Sequence, residues 1–134
     1  MKEFSMAIEK IFDPGDIDWL ASFTAIGEPA SKANSRKFVR IKGRSAFIKS
    51  DKALAYVQSL GLQCPRLDPL IEGNLIVAIR IFYASKRPDL DESIILDVMQ
   101  GKIYKNDRQV KQKHIYWDLD RQDPRIIVAV GKPS

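Results

Sequence analysis

Residues 86–110 read KRPDLDESIILDVMQGKIYKNDRQV. Pro88 disfavours helical geometry at Arg87, so the chain enters Asp89 extended. Residues two apart in an extended segment point the same way, which puts Asp89 and Asp91 on one side and turns Leu90 towards a core. DLDESIILDVMQG then reads as a helix capped by Asp91 and ended at Gly101, with Ile94, Ile95, Val98 and Met99 as its apolar stripe. Asp107 stands in KNDRQV, at the entry to the next strand. It reaches the first two carboxylates only if that strand lies beside the one that precedes Pro88. Oxygen ligands of this kind suit Mg²⁺, which is held by one or two carboxylates with water and phosphate completing its shell. A purely structural assignment competes: Asp91 as a helix cap contributing about 1 kcal/mol, Asp89 satisfying first-turn amides, Asp107 closing an Asx-turn. Residue spacing leaves both open. Asp97 follows Asp91 by six residues, about 240° round a helix, and is expected to point elsewhere.

Working outward, NLIVAIRIFYAS (74–85) is an apolar run of β-branched and aromatic residues, the pattern of a central strand buried on both faces. RKFVRI and SAFIKS flank KGR and predict a β-hairpin. SDKALAYVQSLGL predicts a helix with Leu54, Val57 and Leu60 on its apolar face and a stop at Gly61. DWLASFTAIG reads as a strand, GEPASKANS as a loop, and RQVKQKHIYWDL and PRIIVAV as two further strands joined by a turn. The expectation is a single α/β (α+β) domain over residues 19–134, with a mixed sheet of four to six strands and two main helices. Residues 1–18 read as an N-terminal extension.

The chain has 134 residues, enough for one core without staples. Its single cysteine, Cys64, excludes a disulfide framework or a cysteine metal cluster within the chain and fits a reducing compartment. No segment reads as a secretory signal or a membrane span, so a cytoplasmic protein without a membrane partner is expected. Net charge is +5, unevenly spread: residues 31–52 hold eight Lys/Arg against one acid, +7, leaving −2 for the rest. A basic block interleaved with Phe38 and Phe47 suits a phosphate backbone, with Lys32, Asn34, Arg36, Lys37, Arg40 and Arg44 as candidate contacts, joined by Lys86 and Arg87. The alternative is a solvated hairpin whose lysines guard an edge.

A second acidic cluster, Asp118, Asp120 and Asp123 in WDLDRQDPR, reads as hairpin-turn chemistry because of Asp123-Pro124. His114 is the only histidine. No histidine-rich metal site is available, and a Ser-His-Asp triad has no support beyond its parts.

The 86–110 block resembles the RusA family of Holliday-junction resolvases, endonucleases of bacteria and their phages. Members typically read Asp-Leu-Asp-Asn, a helix with an Asp-Ala-Leu step, Gly, Tyr or Trp, and an acidic pair before Ser/Ala-Gln-Val/Ile. GEPASKANSR is similar to the family's early Pro-Ser/Ala-x-x-Asn loop and PRIIVAV to its last strand. The resemblance implies a homodimer in the cytoplasm of a bacterium or phage-infected host. It implies that this dimer binds four-way junctions and nicks two strands with Mg²⁺ (or Mn²⁺ in its place), without an organic cofactor. It puts the essential acids on Asp89, Asp91 and Asp107, and the acid of the helix step on Asp97. This sequence departs from the pattern in three places. Asp91 and Asp97 are closer than usual, Glu92 replaces Asn, and the family lysine falls on Ile95. Lys86, Arg87, Lys102 and Lys105 are candidates for the lost charge. A non-catalytic DNA-binding relative, a nuclease for flaps or other branches, and an interaction domain without nucleic acid remain as alternatives.

Overall fold

The computed structural model describes residues 17–32, 34, 36–84 and 90–133. Asp89, Lys86 and Arg87 therefore lie outside the described residues, as do residues 1–16 of the extension. In chain order the elements are β1 (Ile17–Ile26), β2 (Arg36–Ile41), β3 (Arg44–Lys49), α1 (Asp51–Gln63), β4 (Leu75–Tyr83), α2 (Glu92–Met99), a 3₁₀ turn (Asp107–Gln109), β5 (Val110–Leu119) and β6 (Arg125–Pro133). The fold is α+β with strands dominant: a four-stranded mixed sheet ordered β1-β6-β4-β5, a separate β2–β3 hairpin and two helices.

β4 is central, as its unbroken apolar run requires: it pairs parallel with β5 on one side and antiparallel with β6 on the other. β6 is apolar on both faces and sits between β1 and β4. The 120–124 turn is thus not a hairpin turn; it carries the chain past the end of β4. Its acids are structural. Asp118 pairs with Arg80 at 3.1 Å, and Asp120 and Asp123 hold the Arg125 guanidinium, which lies 3.8 Å over the Phe82 ring. Hydrogen bonding from Arg125 holds the Asp120 carboxyl below its usual range.

The helices cover one face of the sheet. Ala53, Tyr56 and Leu60 of α1 and Ile94, Ile95, Leu96 and Met99 of α2 bury against Val77, Ile79, Ile81, Ile126 and Val128. The buried stripe of α1 is thus Ala53-Tyr56-Leu60 with Val57 packed at its edge, and of the expected stripe only Leu54 is out of place. Tyr56 packs beside Gly27 in the β1 exit, which turns Leu54 outward. Ser50 caps α1, accepting from the Ala53 amide at 3.2 Å. The helix runs through Gly61 and ends at Cys64, where Pro65 denies the preceding residue helical geometry. Burial pushes the Cys64 thiol up to about 11, so it is inert at neutral pH.

The hairpin closes on Lys42 and Gly43, both at positive φ (51° and 78°), the conformation of a two-residue primed turn. It is stapled to α1 at its base. The Ser50 hydroxyl donates to the Asn34 carbonyl at 2.6 Å and Lys37 pairs with Asp51 at 3.0 Å.

Gly131 is a packing requirement. A Cβ there would lie 2.6 Å from the Asp18 carbonyl oxygen and 3.0 Å from the Trp19 ring. Gly131→Ala is expected to lower stability by about 1–3 kcal/mol, read as a lower urea midpoint with an unchanged slope. An unchanged midpoint would mean that β1 does not lie this close to β6.

Candidate active site

The loop before the hairpin positions Asp91. Its amide donates to the Ala30 carbonyl at 2.7 Å, and Ser31 bridges Leu90 antiparallel. Ala30, Ser31, Leu90 and Asp91 are all buried, so the start of α2 is clamped from the side. Asp91 caps the helix. Its Oδ1 accepts from the Ser93 amide at 3.1 Å and from the Ser93 hydroxyl, while Oδ2 takes no part in the cap. Asp91 is thus the cap that the structural assignment required, and that role leaves one oxygen for other work.

Asp107 opens the 3₁₀ turn that leads into β5. Its amide donates to Gln100 Oε1 at 2.9 Å, tying the turn to the end of α2. The Asx role expected of Asp107 belongs to its neighbour: Asn106 accepts from the Arg108 amide at 2.9 Å and completes a capping box with Gln109. Gln109 in turn donates to the Ile71 and Gly73 carbonyls. Held through its neighbours and its backbone, Asp107 keeps its carboxylate out of the turn's own hydrogen bonds.

Asp97 feels the charges of both of these acids. Loss of water raises its carboxyl above the usual carboxylate range, the negative charges of Asp107 and Asp91 add to the rise, and Lys49 and Arg36 oppose it. The Tyr104 hydroxyl, fully buried and donating to the Leu96 carbonyl at 2.7 Å, is raised by burial and then by Asp107 and Asp97. Asp91, Asp97 and Asp107 therefore share one electrostatic field. Among the described residues, no three acidic, histidine or cysteine groups stand close enough to hold a metal ion. The donor chemistry present is carboxylate oxygen throughout, which fits a hard divalent cation and not a soft one.

Asp107 opens onto a cleft of about 390 Å³ between α2 and β5, lined also by Leu96, Val110, Lys111, Gln112 and Lys113. Lys113 reaches across to Glu92 at 3.4 Å, and Lys32 approaches the other Glu92 oxygen at 3.7 Å. Glu92 is 8% exposed, so it is a buried first-turn acid balanced by two lysines. Lys102 lies near the Cys64 thiol, and Lys105 lines a second cleft with Gln109 and residues 69–73. Neither lines the Asp107 cleft. Sequence reasoning missed Lys111 and Lys113; the available signal was their alternation at the start of a strand, in VKQKH.

The basic hairpin adjoins the acids. Arg36 and Lys49 form its first rung and both bear on Asp97. Arg40 and Arg44 are exposed further out, Lys37 is engaged with Asp51, and Asn34 gives its carbonyl to Ser50.

The crowding of like charges has a measurable consequence. The folded chain holds the Asp97 carboxyl above its ordinary value, so ionising it costs the fold. That penalty is full above the folded value and disappears as pH falls to the unfolded one. Asp97→Asn is expected to raise Tm at pH 7 in EDTA, with the gain vanishing near pH 3. A lowered Tm at pH 7 would contradict the shared field.

A comparison with curated proteins returns no match. A family model described as Endodeoxyribonuclease RusA matches residues 27–131. That span takes in the Ala30 clamp, the hairpin, α2 and all three of the carboxylates whose fields overlap. With most of its length matched, the chain belongs to the RusA endodeoxyribonuclease family.

Proposed function

We propose that the protein is a Mg²⁺-dependent endonuclease that resolves four-way DNA junctions by nicking two opposed strands as a homodimer. The observation that carries this reading is that Asp97 feels the charges of Asp107 and Asp91 together with those of Lys49 and Arg36, while Asp107 opens onto a cleft lined by Lys111 and Lys113. Asp89, Asp91 and Asp107 would hold the cation, with Mn²⁺ able to replace it. When bound, the cation activates a water and stabilises charge on the phosphoryl oxygens and the leaving 3′-oxygen.

The chain's own residues do the rest. Asp91 is anchored by its backbone bond to Ala30, and Asp107 by its amide bond to Gln100 in a turn that Gln109 secures, so the backbone carrying each carboxylate is set before substrate arrives. Lys111 and Lys113 draw a phosphodiester into the cleft. Lys113 also supplies positive charge of the kind lost at Ile95, a position that is fully buried in the core. Lys32, Arg36, Arg40 and Arg44 grip phosphates along the arms; they position the DNA and read no sequence. A two-fold dimer would match the two-fold symmetry of a junction, so paired nicks follow from geometry.

The buried Ile95 favours a second reading, a relative that binds junctions without cutting them. One experiment separates the two. Wild type, Asp107→Asn and Lys113→Met are incubated with a synthetic four-way junction, linear duplex and a flap, in Mg²⁺ or EDTA. Paired nicks on the junction are expected from wild type in Mg²⁺ alone. Asp107→Asn should cut at least about 100-fold more slowly while still binding, and Lys113→Met about 10-fold or more. Tight binding by wild type with no nicking would establish the non-catalytic reading. Preferential nicking of the flap would reassign the substrate.

A further inference from the structure

Two aromatic side chains on one face of the β2–β3 hairpin have no role in the chemistry above. Strand alternation and the antiparallel register place Arg36, Phe38 and Arg40 on that face opposite Lys49, Phe47 and Ser45. Phe38 and Phe47 face each other across the ladder with ring centroids 5.5 Å apart and planes at 68°. They are 58% and 69% exposed. An aromatic pair held this openly loses hydrophobic stabilisation that burial would give. The neighbouring rung locates the pair. Arg36 and Lys49, whose charges bear on Asp97, stand one side of it, about 7 Å along the strands. Arg40 stands the same distance beyond.

We propose that Phe38 and Phe47 form a stacking platform for an exposed base of branched DNA, one rung along the hairpin face from the cations beside the carboxylates, and so help select branched over continuous duplex. The proposal rests on the DNA-cleaving reading of the site. Charge identifies the occupant. The face carries Arg36, Arg40 and Lys49 and no acid, so a second copy of this hairpin would bring like charges together. A nucleic acid brings phosphates to the cations and a π-face to the rings. A base inside continuous duplex has both faces covered by its neighbours, whereas one at a branch, flap or loop offers a face. Stacking of one base on an aromatic side chain contributes about 1–3 kcal/mol, which corresponds to a preference of about 5- to 150-fold.

The test reads binding, in an Asp107→Asn background that keeps the DNA whole. A four-way junction and a continuous duplex each carry 2-aminopurine, at the branch or at the matching position. Junction fluorescence should change on saturation and duplex fluorescence should not. Phe38→Ala and Phe47→Ala should each abolish that change and cut the junction-over-duplex affinity ratio at least about 5-fold. Duplex affinity, Tm and sedimentation coefficient should stay unchanged. Phe47→Trp, which keeps an aromatic face, should restore both the signal and the ratio. An unchanged ratio in the double alanine variant would overturn the platform. So would a loss of self-association in either variant, which would make the face a contact between copies. Failure of the nuclease reading is visible separately, as wild type that binds DNA and never nicks it.

Discussion

The parallel pairing of β4 with β5 is the constraint on which the site depends. Two parallel neighbours cannot be joined by a tight turn, so the chain leaving Tyr83 has to travel back along the sheet before it can begin beside Leu75. α2 is part of that return. Asp91 stands where the helix begins, Asp97 near its end and Asp107 in the 3₁₀ turn before β5, so all three acids ride on one crossover. Two local bonds fasten the ends of the crossover: Asp91 to Ala30, and Asp107 to Gln100. Neither uses a carboxylate oxygen; the cap of α2 takes one oxygen of Asp91.

Gathering carboxylates costs stability, and the surrounding charges offset part of that cost. Lys49 and Arg36 lower what Asp107 and Asp91 raise at Asp97, and Lys32 and Lys113 flank buried Glu92. Charges of both signs thus interleave around α2 and the base of the hairpin. On the proposed reading, such an arrangement would hold a cation beside a polyanion. Cations arranged uniformly would repel the metal, and acids arranged uniformly would repel the DNA.

Much of the fold was legible because several elements are strongly patterned. The apolar run of β4 announced a central strand, the two halves of the hairpin flanked a glycine turn, and Asp91 and Gly101 bracketed α2. The insertion of β6 between β1 and β4 was not legible, since strand order depends on long-range pairing that no local pattern encodes. Two errors came from judging position by local spacing. Leu54 was placed on the buried face of α1, where Ala53 and Tyr56 stand. Lys113 was passed over because its importance comes from facing Glu92, an element away. The pairing of Asp91 and Asp107 in the sequence was conditional on β5 lying beside β4, and the structure meets that condition.

The central claim is that Asp91 and Asp107 act on one cation. Its most direct measurement is a double-mutant cycle on Mn²⁺ affinity, comparing wild type, Asp91→Asn, Asp107→Asn and the double variant by the free-ion resonance signal. Two ligands of one ion should give strong non-additivity, the double variant binding little worse than either single one. Losses that simply add, or an Asp107→Asn protein that binds Mn²⁺ as wild type does, would contradict the account.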